Sequence, residues 1–197
     1  MKRNSLPAIL SALVLMLSAT AFAADEYKID PVHSSANFAV RHMMVSTVKG
    51  RFTDVTGTIL YDDKDITKSS VKAVIKVASI NTDNTMRDND LRSANYFEVE
   101  KFPEITFTST RIEKRGDQFV AIGNLTIKDV TKQVELPFTI VAAEMRGKKR
   151  IGIDSTIKII RYDYHVNADP TGAAVGKEVT IDLNLEAGAV AATPAAK

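Results

Sequence analysis

Histidine side chains are the first candidates for chemistry in this sequence, because it contains no cysteine that could act as nucleophile, thiolate ligand or disulfide partner. The three histidines are His33, His42 and His165. Three imidazoles can hold a zinc ion, but nothing in this wide spacing proposes one. The motifs of serine hydrolases, zinc proteases, Walker nucleotide sites and dinucleotide-binding folds are missing too. We therefore expect no metal site and no catalytic centre of these classes.

His42 falls in an alternating segment, on the same face as Phe38 and Val40. It is interpreted either as a hydrogen-bonded core histidine or as a polar contact for the headgroup of a ligand. Arg87 and Arg92 carry the same two interpretations. An alternative hypothesis makes His42, together with a neighbouring acid, the active centre of a barrel enzyme that acts on an amphiphilic substrate.

The elements that must position these residues are β-strands, because apolar and polar residues alternate along most of the chain. Each run has one apolar face and one polar face, as antiparallel strands around a core do. Short turn segments separate most of the runs, which predicts an all-β fold, an up-and-down barrel or a sandwich of eight strands. The runs cover approximately residues 35–44, 50–61, 70–80, 104–113, 117–127, 132–143, 149–160 and 177–187.

One polar segment, residues 82–96, interrupts the strand pattern. Thr85 and Asp88 are spaced as in a capping box, which marks the beginning of a helix. We predict a short helix from about Met86 to Asn95, with Met86 and Leu91 facing inward.

The predicted inner faces carry a large apolar surface. A barrel of eight strands either fills with side chains or holds one small ligand, and the sequence leaves both open. A lipid chain with about 12 buried carbons would gain about 10 kcal/mol before the costs of association. The candidate lumen residues are Phe38, Val40, Phe107, Leu125, Ile127, Phe138 and Ile140.

The two ends of the chain predict export and a loose tail. Lys2 and Arg3, an apolar run from Leu6 to Leu17 and an A-x-A pattern ending at Ala23 indicate a signal peptide over residues 1–23, cleaved after Ala23. The barrel domain is predicted over residues 24–187, and the Ala-rich residues 188–197 as a disordered tail. This organisation predicts a periplasmic protein.

The charge balance gives no reason to expect a polyanionic partner. The chain has 26 basic and 24 acidic residues, and removal of Lys2 and Arg3 with the signal peptide makes the two counts equal. One basic cluster, residues 146–150, lacks interleaved aromatic residues and is interpreted as a solvated hairpin turn. No nucleic-acid partner is expected.

Several phrases of the sequence form a recognisable ordered set. They are Asp30-Pro31-x-His33-Ser34, Phe38-x-Val40-Arg41-His42-Met43, Gly50-x-Phe52, Gly57-x-Ile59, Arg87-Asp88-x-Asp90-Leu91-Arg92-Ser93-Ala94-x-x-Phe97, Phe102-Pro103-x-Ile105-x-Phe107-x-Ser109, Gly123-Asn124-Leu125-Thr126-Ile127-x-x-Val130-Thr131 and Gly176-x-Glu178-Val179. This set strongly resembles the YceI-like family of bacterial secreted proteins. Two positions depart from the family pattern: Asp90 stands where a histidine is common, and His165 where a glycine is favoured.

The resemblance implies an eight-stranded, antiparallel, lipocalin-like β-barrel with one short helix near one end. It also implies a hydrophobic lumen for polyisoprenoid or related amphiphilic chains, a periplasmic location, often a dimer, and no established catalytic activity.

We therefore expect a non-enzymatic periplasmic carrier whose only cofactor-like group is a bound polyisoprenoid or isoprenoid-quinone-like lipid. The lipid tail would contact the lumen residues, and His42, Arg87 and Arg92 would lie near its polar head. Transient membrane contact without stable insertion and a homodimer are further expectations. The remaining alternative is a structural stress protein with a filled barrel.

Overall fold

Eleven β-strands and one α-helix form the fold of residues 24–167, 171 and 173–191, which the computed structural model describes. The predicted signal peptide, residues 1–23, lies outside the described residues, as do residues 192–197 of the predicted tail. The strands are β1 Asp25–Ile29, β2 Ser35–His42, β3 Ser46–Phe52, β4 Val55–Tyr61, β5 Ser70–Lys76, β6 Ile80–Asn81, β7 Glu104–Arg115, β8 Gln118–Ile127, β9 Val130–Met145, β10 Lys148–Ile160 and β11 Val175–Ala189. The helix, α1, spans Thr85–Arg92, and short 3-10 turns cover Ile66–Lys68, Val77–Ser79 and Arg161–Tyr164.

The strands close into a ring of eight antiparallel wall positions. One edge of β11 pairs with β10, and its other edge pairs with β1 near Ala189 and with β2 near Leu183. β1 and β2 are therefore successive halves of one wall position, and β3 and β4 share the next in the same way. The third position contains β5 and β6, and β7 to β11 supply the other five. The predicted eight-stranded antiparallel barrel is confirmed.

The first wall position begins earlier than the sequence pattern indicated, at Asp25, and it is broken at the Asp30–Ser34 motif. Asp30 Oδ1 accepts the Val32 N–H at 3.0 Å and so forms a local turn. The Ser34 hydroxyl then accepts the Glu186 N–H at 3.0 Å and donates to the Glu186 carbonyl at 3.2 Å. The motif thus lets the strand bend while β11 keeps its hydrogen bonds.

The helix is shorter than predicted and begins differently. Asn84, rather than Thr85, is its N-cap, with its side-chain oxygen accepting the Arg87 N–H at 3.0 Å. The buried Asp88 carboxylate accepts from the backbone and the hydroxyl of Thr82 at 2.9 and 2.5 Å. Leu91 packs against the core as predicted, whereas Met86 is 83% exposed, so its predicted inward orientation is wrong.

The predicted boundary of the C-terminal tail at residue 188 is wrong. Gly188 and Ala189 belong to β11, because they pair with Lys28 and Tyr27 of β1. The next residue, Val190, still donates its N–H to the Glu26 carbonyl at 2.7 Å. Ladder hydrogen bonds therefore hold two residues whose composition suggested disorder.

The basic cluster at residues 146–150 forms the turn between β9 and β10, as predicted. Arg146 and Gly147 have φ values of 53° and 73°, as a tight hairpin turn requires. Lys149 lies 2.9 Å from the Asp25 carboxylate, so part of the cluster is neutralised within the protein.

The up-and-down order places the loops at two ends of the barrel. One end, here called the helix end, carries α1, the β2–β3 turn at residues 43–45, the β8–β9 turn and the connection from β10 to β11. The other, the tail end, carries the β9–β10 turn and both described termini of the chain.

Candidate functional site

The interior of the barrel is an apolar cavity of about 230 Å³. All seven lumen residues predicted from the sequence line it: Phe38, Val40, Phe107, Leu125, Ile127, Phe138 and Ile140. The interior is therefore not filled completely by its own side chains. Their role in binding a ligand stays a prediction, while their place on the cavity wall is confirmed.

Period-two alternation explains how the sequence builds this wall. Along β10, Ile153, Ile157 and Ile159 line the cavity, and on the paired strand β11, Val179 and Ile181 do so. Successive side chains of a strand point to opposite faces, so the alternate residues Asp154, Thr156 and Lys158 face outward. The wall is continuous from strand to strand because the pairing registers align these positions.

Glycine residues make room for aromatic rings on the inner face. Gly50 pairs with Phe38 across β2 and β3, and a Cβ atom at residue 50 would lie 2.4 Å from the Phe38 ring. In β8, a Cβ atom at residue 123 would lie 2.6 Å from the Phe107 ring. Both rings line the cavity, so these glycines set its shape through close approach.

The wall is unevenly buried. Phe107, Leu125 and Ile127, on β7 and β8, are almost fully buried. Val40 and Val179, paired in register across β2 and β11, keep part of their surface accessible although both line the cavity. The lining side chains on β2 and β11 near the helix end are therefore less tightly enclosed than those on β7 and β8.

Arg161 is a buried cation at the helix end of the cavity that the sequence analysis did not single out. It is 4% exposed and lines the cavity. Its guanidinium donates to the carbonyls of Val166, Val175 and Gly176 at 2.7 to 2.9 Å. Its ring-face contact with Tyr162, at 4.4 Å, completes this packing. The guanidinium thus ties the connection after β10 to the beginning of β11.

His42, Arg87 and Arg92, the predicted polar contacts, are not among the residues that line the cavity. His42 is the last residue of β2 and pairs with Val175 of β11, next to the register shift between Val175 and Val179. His42 thus lies at the helix end of the barrel, and its contact with a ligand headgroup stays a prediction.

The two arginines stabilise the end of a strand instead. Arg87 donates to the Thr82 hydroxyl and carbonyl at 2.8 and 2.9 Å. Arg92 donates to the carbonyls of Ala78 and Ile80 at 3.0 and 2.7 Å. These acceptors lie where the β5–β6 wall position ends, so the guanidiniums satisfy backbone groups that the sheet no longer pairs.

Each of the two residues that depart from the family pattern has a side-chain partner in the structure. Asp90 is exposed and accepts a hydrogen bond from the Asn95 side chain at 2.8 Å. His165 keeps the left-handed conformation that glycine favours, with φ of 55°, and its Nδ1 lies 3.0 Å from Asp129 Oδ1. The replacement of glycine therefore leaves this backbone geometry available.

Ser155 is a buried polar residue on the cavity wall. It interrupts the isoleucines of β10, is 7% exposed, and its hydroxyl has no hydrogen-bond partner among the described residues. A buried hydroxyl without a partner costs about 1–3 kcal/mol. Ser155 Oγ is therefore available to a polar atom of a guest in the lumen.

We expect Ser155→Ala to raise the free energy of unfolding of the ligand-free protein by about 1 kcal/mol, because the change removes a desolvated hydroxyl at little cost in packing. Urea denaturation of delipidated protein measures this. Ser35→Ala, at a partly buried serine whose hydroxyl accepts from Asn37, is the control and should not stabilise. A loss of stability in Ser155→Ala would show that the hydroxyl has a protein partner.

Among the described residues, one group of metal-ligand side chains comes together: Asp30, His33 and Glu186. Arg150 already occupies the position of a cation there, with its Nη1 2.7 Å from Glu186 and 3.5 Å from Asp30. His33 Nδ1 lies 3.0 Å from Asp30 Oδ2. The group is an ion-pair cluster on the outside of the barrel.

The hydrogen bond between His33 and Asp30 raises the pKa of His33 above its ordinary value of 6.5 and lowers the pKa of Asp30. The stabilisation from charged His33 is fully present below pH 6.5 and is lost as the pH rises through the raised pKa. We expect Asp30→Asn to return the pKa of His33 toward 6.5 in an NMR titration. An unchanged pKa of His33 would contradict this assignment.

No helix in the described part of the chain is long and apolar enough to cross a membrane.

Comparison with known proteins identifies the family to which this barrel is similar. The model of the YceI-like domain family matches residues 27–187. Protein YceI of Salmonella newport (strain SL254) is 37% identical over 190 residues, which cover 94% of this chain and 97% of that protein. A Campylobacter jejuni YceI protein, crystallised for nanotechnology applications, superimposes with a TM-score of 0.68 at 31% identity, over 75% of this chain and 88% of that one.

A more distant solved structure shares the fold. It is the polyisoprenoid binding domain from Saccharophagus degradans implicated in plant cell wall breakdown, with a TM-score of 0.64 at 18% identity, covering 83% of this chain and 98% of that one. The closed barrel, its apolar cavity and the family match over nearly the whole described region agree, and the chain belongs to the YceI-like family.

Proposed function

We propose that this protein is a non-enzymatic binding protein and carrier for a polyisoprenoid or a similar long-chain amphiphilic lipid, held in the barrel lumen. The observation that carries the proposal is the apolar cavity of about 230 Å³ lined by side chains from strands all around the barrel. Empty apolar cavities of about 150 Å³ are known to bind guests of the size of benzene. A larger apolar lumen suits a flexible hydrocarbon chain.

The physical basis of binding is burial of methylene groups. Each one contributes about 0.8 kcal/mol when it leaves water. A tail can extend along the wall of β11 from Val175 to Leu185, both of which line the cavity. At the rise of a tilted barrel strand, this segment spans about 25 Å along the barrel axis. The shape of the lumen therefore suits burial of an extended hydrocarbon chain better than burial of a compact ring-shaped ligand.

The comparisons support this ligand class. The Saccharophagus degradans domain that shares the fold is described as polyisoprenoid binding. The N-terminal pattern of the sequence supports export and a periplasmic location, with cleavage after Ala23. In an aqueous compartment between two membranes, a long isoprenoid needs a carrier to move.

The enzyme hypothesis gains no support from the geometry. His42 is not on the cavity wall, and among the described residues no carboxylate is paired with it. Ser155, whose buried hydroxyl has no hydrogen-bond partner among the described residues, has no His, Asp, Glu or Lys beside it on the cavity wall that would activate it as a nucleophile. Both observations favour binding over turnover.

The test is mass spectrometry of organic extracts from purified, natively folded protein, followed by titration of the delipidated protein with a prenyl quinone and a fatty acid. We expect a long-chain lipid in the extract and saturable binding in the titration. Absence of any extracted lipid together with no binding of either probe would refute the proposal.

A further inference from the structure

The turn between β2 and β3 exposes three consecutive apolar side chains at the helix end of the barrel. Met43, Met44 and Val45 are 61%, 84% and 84% exposed. Within residues 24–167, 171 and 173–191, no other large exposed apolar side chains are adjacent in the chain. Burial of these side chains in an apolar phase would be favourable, and the protein itself does not provide it.

The backbone of this turn is strained. The turn is closed by the Val45 N–H, which donates to the His42 carbonyl at 3.0 Å, and its central residues Met43 and Met44 have φ values of 49° and 59°. Asparagine and glycine suit such positions, whereas methionine pays a steric cost. Arg41 supports the strained form by donating to the Met44 carbonyl at 2.7 Å. Large apolar residues stand where stability favours small ones, which indicates a function for their side chains.

The same hairpin is basic and free of acids. Residues 31–53 contain no aspartate or glutamate. Arg41, Lys49 and Arg51 are exposed on its outer face. Glu178 of the neighbouring strand β11 is already ion-paired with Lys158 at 2.8 Å. An apolar tip flanked by cations complements a bilayer with anionic headgroups.

The turn adjoins the cavity. Met43 donates its N–H to the Ala174 carbonyl at 2.9 Å, and the next residue, Val175, lines the cavity and pairs with His42. A surface that receives the tip of the turn therefore also meets the end of the cavity wall at which Val40 and Val179 stay accessible.

We propose that the β2–β3 turn is a membrane-docking loop that inserts Met43, Met44 and Val45 into the interface of an anionic bilayer. Docking brings the helix end of the cavity to the lipid. This inference rests on the proposed function, because docking would serve to load and release the lipid tail at a membrane.

The test is co-sedimentation of the purified protein with vesicles of phosphatidylcholine alone or mixed with phosphatidylglycerol. We expect binding to the mixed vesicles that falls with added salt, and weaker binding to the neutral ones. The double variant Met43→Asn/Met44→Gly should bind the mixed vesicles about tenfold or more weakly, because two inserted side chains are lost. Its Tm should rise by about 2–4 °C, because the new residues suit the turn.

Controls separate this outcome from unspecific effects. Met145→Asn changes an exposed methionine at the tail end and should leave vesicle binding unchanged. Lys49→Gln/Arg51→Gln should weaken binding to the mixed vesicles alone. Equal binding of parent and double variant, or no preference of the parent for anionic vesicles, would overturn the proposal. A third result would also overturn it: the parent does not bind vesicles and is a dimer, whereas the double variant is a monomer. The turn would then be a protein interface.

A vesicle-free titration with a fluorescent fatty acid distinguishes failure of docking from failure of the proposed function. The double variant should bind this probe as the parent does, because neither methionine lines the cavity. Probe binding without vesicle binding refutes docking alone. Vesicle binding without binding of any ligand in the lumen refutes the carrier function but not the docking of the loop.

Discussion

Replacement of Val179 by tryptophan is expected to abolish most lipid binding while the barrel still folds. Val179 lines the cavity on β11, opposite Val40, and keeps part of its surface accessible, so the larger ring enters open lumen rather than packed core. If the ring excludes about four methylenes of a bound tail, the loss is about 3 kcal/mol, or about a hundredfold in affinity. Titration with a fluorescent fatty acid or a prenyl quinone measures the change.

The matched control for this variant is Thr180→Trp. Thr180 is the next residue of β11, is not part of the cavity wall, and pairs with Ala39 and Lys158. It adds the same ring to the outer face of the same strand, and we expect affinity within a factor of about two of the parent. Similar affinities for all three proteins would mean that the ligand does not occupy the lumen, and the carrier hypothesis would then be wrong.

The second large effect is expected from Arg161→Met, which should lower the free energy of unfolding by about 3 kcal/mol or more. The arginine satisfies three backbone carbonyls, those of Val166, Val175 and Gly176, in a buried position. Methionine fills a similar volume but leaves the carbonyls without these donors. Urea denaturation followed by circular dichroism gives the free energy directly.

Two further variants test whether the lost hydrogen bonds cause the loss of stability in Arg161→Met. Arg161→Lys keeps the charge but offers its donors from a single nitrogen, so it should recover only part of the lost stability. Lys158→Met removes an exposed cation of β10 that has one ion pair, to Glu178, and should change stability by less than about 0.5 kcal/mol. Equal stability of Arg161→Met and the parent would show that these carbonyls find other donors.

Much of the fold could be predicted from the sequence, because period-two patterning is a local property. The inward positions Phe38, Leu125 and Phe138 follow directly from alternation, and the structure places all of them on the cavity wall. The number of wall positions follows from the number of alternating runs. The helix near one end was predicted from its polar, strand-poor composition, although its cap is Asn84 and not Thr85.

The three polar candidates from the sequence lie where strands end. His42 is the last residue of β2 and pairs with Val175, but it is not among the residues that line the cavity. The charges of Arg87 and Arg92 suggested a headgroup site. Their partners are backbone carbonyls of residues 78–82, which become available only where the β5–β6 wall position ends.

The sequence by itself determined the all-β class, the inner faces and the family, since these depend on residue order and on spacing along the chain. Whether the lumen is open depends on how side chains from distant strands fill a shared volume, and only the tertiary structure decided it. The role of Arg161 likewise required the close approach of Val166 and Val175, which the sequence pattern does not indicate. Three-dimensional closure also brings the exposed Met43 beside the cavity wall, because β2 and β11, far apart in sequence, are neighbours in the ring.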